Sequence, residues 1–159
     1  MKKIILTLAL AMSMVGAMNA QVVAAQVMDR AIGLRFGYGG EISFQQPLGD
    51  AHRLEVDLGL TGYGFGLHGV YQWVWDLSTV ADGINWYAGV GGSIGSFYFG
   101  NDNFFNDKVF DVGILGQVGI EYNFTIPLQV SLDYRPGIYF LDGVSPSYTG
   151  ICLSGRYRF

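Results

Sequence analysis

Apolar and polar residues alternate with a period of two along most of this chain, the pattern of strands whose two faces meet different surroundings. Eight such segments occur, at 31–38, 41–46, 52–61, 65–75, 84–98, 109–122, 128–138 and 148–159. In the third, Leu54, Val56, Leu58 and Leu60 alternate with Arg53, Glu55, Asp57 and Gly59. In the seventh, Leu128, Val130, Leu132 and Tyr134 alternate with Gln129, Ser131, Asp133 and Arg135. Turn residues separate the segments: Gly39-Gly40, read as a two-residue hairpin turn, then Pro47 to Asp50, Asp82-Gly83, Asn101 to Asn103, and Asp142 to Pro146. Eight strands joined this way predict an all-β fold, an eight-stranded antiparallel up-and-down β-barrel.

Alternation alone leaves open which face points inward. Three features place the apolar face outside, which makes the barrel a transmembrane one with a polar, side-chain-filled interior. The polar face carries Arg35, Arg53, Arg135, Arg156 and Arg158 against Glu55, Asp57, Asp111, Glu121 and Asp133. Balanced signs, with arginine and no lysine, suit confined pairs held by the guanidinium fork. Glycines at 33, 37, 59, 66, 89, 91, 95, 113 and 119 share that face. They leave room inside a narrow barrel for arginines, Tyr87 and Phe97. The aromatic residues sort by height. With both termini at one end, that end collects Trp73, Trp75, Trp86, Tyr122, Tyr157 and Phe159. The other end collects Phe36, Tyr38, Phe65, Tyr98, Phe110 and Tyr139. Two girdles about ten residues of tilted strand apart match the apolar band of a membrane. Arg156 and Arg158 are expected to pair with Asp133 and Glu121. Pro136, which lacks an N–H for the ladder, is expected at the outer rim beside a bulge.

The first residues change the picture of where the fold begins. Lys2 and Lys3, the apolar run Ile4 to Ala17 and the small residues near Ala20 have the order of a secretory leader, residues 1–20, with cleavage after Ala25 as the alternative. The barrel domain then covers 29–159. The formal charge is −4, and loss of Lys2 and Lys3 lowers it further. Lys108 is then the sole lysine, so the chain offers no basic footprint for nucleic acid. Cys152 is alone and forms no internal disulfide. The 24 glycines and 50% hydrophobic residues are dispersed, which is how a membrane barrel escapes a hydropathy scan for helices.

Candidate chemistry is sparse. His52 and His68 lack a second ligand at metal spacing, and Gly89 to Gly95 precedes no helix, so it is no phosphate loop. Asn101, Asp102, Asn103, Asn106 and Asp107 read as solvated turn residues. No catalytic residue, cofactor or metal site is expected.

The terminal strand Ile151-Cys-Leu-Ser-Gly-Arg-Tyr-Arg-Phe159 resembles that of the small OmpA/OmpX-like outer-membrane β-barrel family of Gram-negative bacteria. The resemblance runs from about Asp29 to Phe159 and includes the leader. It implies an export signal, an outer-membrane location, lipid as solvent, and recognition of Tyr157 and Phe159 by the barrel-assembly machinery. Members of that family serve as anchors, adhesins, narrow porin-like pores and lipid-modifying enzymes, so the family leaves the activity open. A non-enzymatic envelope protein with a plugged lumen is the first expectation. A narrow channel or carrier for small solutes is the second, and a surface recognition module using loops 99–108 and 139–147 the third.

Overall fold

The structure, a computed structural model, describes residues 23–37, 39–61, 64–98, 108–140 and 145–159. The first 22 residues, including the segment 1–20 read as a leader, lie outside it. So do Tyr38 and most of the loops 99–108 and 139–147, including Asn101 to Asp107.

Among the described residues nine strands follow in order: β1 (Val23–Ala24), β2 (Ala31–Phe36), β3 (Gly40–Gly49), β4 (His52–Thr61), β5 (Gly64–Asp76), β6 (Ile84–Tyr98), β7 (Lys108–Asn123), β8 (Leu128–Tyr139) and β9 (Ser145–Arg158). Each strand from β2 to β9 pairs antiparallel with the next, and β9 returns to β2. The closing register runs from Ala31 opposite Arg158 to Phe36 opposite Leu153. Mutual amide hydrogen bonds between Arg30 and Phe159, at 3.1 and 2.8 Å, extend it one pair further. The predicted eight-strand up-and-down barrel is therefore what the chain forms, and closure leaves its long strands no free edge. The two-residue β1 was not anticipated.

Local chemistry sets the connections. At the β5–β6 turn Gly83 takes φ +84°, and a Cβ there would lie 2.6 Å from the Asn123 carbonyl oxygen. Asp76 opens the same turn by accepting from the Ser78 amide at 2.7 Å. The first hairpin departs from expectation. Phe36 pairs with Gly40 and Arg35 with Glu41, so the turn falls between Phe36 and Gly40 rather than on Gly39-Gly40. Pro136 behaves as its chemistry requires. β7 pairs Leu115 with Gly137 and next Val118 with Tyr134, skipping Arg135 and Pro136. On the other side the register shifts between Tyr134 and Arg135, leaving Gly150 as the extra residue.

Side chains divide by alternation into two sets. Ile32, Leu34, Leu58, Ile94, Ile114, Ile120, Leu132, Ile151 and Leu153 are exposed. Arg35, Ser43, Gln45, Arg53, Glu55, Asp57, Gln72, Gln117, Glu121, Ser131, Asp133, Arg135 and Arg156 are buried. Apolar residues among the buried include Val70, Val74, Leu115 and Tyr87, with the smaller Ala25, Ala31 and Cys152. A water-soluble core would reverse this division.

Candidate functional site

The buried charges meet across the ring in two groups. Nearer the terminal end, the Arg156 guanidinium donates to Glu55 Oε2 at 2.9 Å, to Ser43 Oγ at 2.9 Å and to Ser131 Oγ at 2.7 Å. Glu55 also accepts from Gln45 at 2.7 Å and from Gln117 at 2.9 Å. Gln117 accepts in turn from Gln72 at 2.9 Å, and Gln72 accepts from Arg53 Nε at 2.5 Å. Arg53 closes the chain on Glu121 at 2.7 Å. Glu121 is further bonded by Asn85, Asn123 and Gln129.

Nearer the far end, Arg35 is paired with Asp133 and with Glu41, the latter at 2.8 Å. Arg135 binds Glu41 at 2.6 Å and Asp57 at 2.5 Å. His68 Nε2 stands 3.7 Å from Glu41 Oε1. Tyr87 joins the two groups: its ring lies under the Arg53 guanidinium at 4.8 Å and its hydroxyl donates to Asp133 at 3.2 Å. Neighbours in register make this possible, since Tyr87 is opposite Gly119 and Gly119 opposite Asp133. A Cβ on Gly119 would sit 2.6 Å from Asp133 Cβ and 2.7 Å from the Tyr87 hydroxyl. Gly119→Ala is therefore expected to lower stability by about 1–3 kcal/mol through overpacking. Urea unfolding followed by tryptophan fluorescence measures it, and an unchanged midpoint would contradict the packing described.

Eight of the ten expected luminal residues, leaving aside Asp111 and Arg158, thus come together, with two corrections in the pairing. Arg156 pairs with Glu55, while Asp133 and Glu121 are taken by Arg35 and Arg53. Arg158 does not join the network. It lies at the rim, where it donates to the carbonyl oxygens of Phe124 (2.6 Å) and Ile126 (3.2 Å) and meets Asp29 at 3.3 Å. The cause is position: at the strand's last residue the open carbonyls of the β7–β8 turn are nearer than any interior carboxylate. Asp111 is half-buried opposite Gly95. Sequence reading missed Glu41, which bridges two arginines, and the glutamines that carry the bonding between ion pairs. The signal was there, because Glu41, Ser43 and Gln45 share one strand parity.

The aromatics of the terminal end pack in pairs. Trp75 and Trp86 stack at 4.1 Å, Tyr71 meets Trp73 edge-on at 5.0 Å, and Tyr122 meets Phe124 at 4.6 Å. Tyr157 stacks on Phe159. At the far end Phe36 and Phe65 are exposed, Tyr98 ends β6, and Phe110 is the third residue of β7. Tyr139 departs from its expected girdle. Its ring lies against Gly113 and Gly137 on the face of Asp133 and Arg135, because the bulge at Gly150 leaves its parity on β8 intact.

A buried ion pair gains little net stability over an apolar pair of equal volume. What the network does is fill the space inside the ring. Compared with family models, curated proteins and solved structures, the chain matches none.

Proposed function

We propose that this chain is an integral β-barrel of the bacterial outer membrane, a non-enzymatic envelope protein with both ends in the periplasm and a plugged lumen. The observation that carries the reading is the division of side chains: Ile151 is 69% and Ile114 62% exposed, while Arg35, Arg53 and Arg156 are each 1% exposed. In water so continuous an apolar exterior would drive aggregation. In lipid it is the solvated face, with tryptophan and tyrosine at the headgroup level of one rim. The leader read at 1–20 and the resemblance to OmpA/OmpX-like barrels fit the same location. On this reading Tyr157 and Phe159 are presented to the barrel-assembly machinery during insertion.

Plugging follows from the ion pairs. Opening a water path would separate charges whose partners sit in fixed positions on opposite walls, and each lost partner costs several kcal/mol. Fractionation tests the location: the protein is expected to stay in the membrane pellet through an alkaline or urea wash. Release into the supernatant would reject the proposal. Purified protein in a planar bilayer is expected to stay silent, and a steady single-channel current would defeat the plugged lumen in favour of a narrow channel.

A further inference from the structure

The ring has a step at its terminal end. β4 begins at His52, opposite Trp73, so Val74, Trp75 and Asp76 of β5 run past it. β1 fills that step, pairing Val23 with Asp76 and Ala24 with Trp75, and the Ala25 amide donates to the Val74 carbonyl at 3.2 Å. The chain then crosses to β2, with the Val27 amide donating to the Asp50 carbonyl at 2.9 Å on the way. β3 and β4 stand between β5 and β2 in the ring, so the segment runs as a chord across the mouth. Val23 to Met28 carries no charge, and Ala25 and Val27 turn inward while Ala24, Gln26 and Met28 are exposed. Ala25, 4% exposed, packs on Val74 and Tyr87, and Val27 covers them. Against its inner side lies a partly open cavity of about 40 Å³, bordered by Val27 of the segment and by Arg53, Glu121, Gln129 and Asn85. The Gln129 side-chain oxygen is buried there without a hydrogen-bond partner, and the volume holds about one to three waters.

We propose that residues 23–29 are a built-in stopper that seals this end of the lumen, and that the leader is therefore cut upstream of Val23, after Ala20. Cutting after Ala25 would remove both β1 pairings and uncover Val74 and Tyr87. The stopper holds by the two β1 pairings, two further main-chain hydrogen bonds and a small apolar cluster, so a charge placed in that cluster ejects it while the ring stays closed.

The test uses the full mature protein, folded in detergent micelles, with Cys152→Ser and Asn85→Cys to place a single thiol behind the segment. A bulky, charged maleimide is expected to label that thiol slowly. Adding Val27→Asp is expected to speed labelling about tenfold or more, the response of a locally opened segment, with the gel mobility of the folded barrel retained. Equal rates in folded protein with and without the substitution would overturn the stopper. If Val27→Asp prevents folding, Val27→Ala is expected to give a smaller acceleration in the same direction, and no acceleration would likewise overturn it. Intact mass of the exported protein supplies the second readout: a chain beginning at Gln21 is expected, and one beginning at Gln26 would refute the inference. Neither readout depends on lipid, so failure here leaves the proposed function standing.

Discussion

Arg156→Leu is expected to destabilise the barrel by about 3–5 kcal/mol, the cost of leaving a buried carboxylate without its charged partner. Arg156 and Glu55 are both fully buried, 2.9 Å apart. Removing the guanidinium also strips the Ser43 and Ser131 hydroxyls of their donor. Glu55 keeps its bonds from Gln45 and Gln117, but two amides do not neutralise a carboxylate. Glu55→Leu with Arg156→Leu is expected to recover most of the loss, because the pair contributes little beyond removing its own desolvation penalty. Urea midpoints of the two single variants and the double variant measure this. Equal destabilisation in the double variant and in Arg156→Leu would mean that the neighbours, not the pair, set the cost.

The same comparison bears on plugging. Glu55 receives donors from β3, β7 and β9, while Arg53 reaches β5 and β7 from β4. Bonds that span the ring cannot be lost one at a time without stranding a second group. On the proposed reading of a plugged lumen, that coupling is what would oppose partial hydration, since an unsatisfied buried group costs about 1–3 kcal/mol and charged groups cost more.

How much of this was legible in the residues depends on range. Period two gave the strands and their two faces, because each side chain's direction follows from the pleat alone. It placed Arg35, Arg53, Glu55, Asp57, Glu121, Asp133, Arg135 and Arg156 on one side. Who pairs with whom was not legible, because pairing across the ring depends on register and on the reach of each side chain. Adjacency of strands suggested Arg156 with Asp133, whereas Arg156 extends past β2 to Glu55 on β4. Glu41 was lost to a single turn. A two-residue turn at Gly39-Gly40 sets Glu41 opposite Tyr38 on the apolar face, while the observed turn sets it opposite Arg35. β1 has no alternating pattern to announce it, since two residues cannot show a period. Val70 and Leu115 are apolar yet buried against Gly89, Gly91 and Gly137, while Val74 packs on Tyr87 and Ala25.

Ile114→Arg separates a lipid-facing wall from a water-facing one more sharply than any change inside the ring. Ile114 lies mid-strand on β7 and is 62% exposed, with no charged side chain on its face among its register partners Gly92 and Ile138. On a protein surrounded by water, an exposed isoleucine replaced by arginine changes stability by about 0.5 kcal/mol or less. At the midplane of a bilayer the same change costs about 2–4 kcal/mol. At about 1.4 kcal/mol per decade, that is a shift of roughly 30- to 1,000-fold in the folding equilibrium. Val80→Arg provides the matched control, because Val80 is exposed in the β5–β6 turn, beyond the stacked tryptophans and clear of any apolar band. Refolding into phospholipid vesicles across a urea series is expected to show a large loss for Ile114→Arg and almost none for Val80→Arg. Equal, small effects at both positions would mean that the isoleucine-rich wall faces water, and the membrane reading would fall with it.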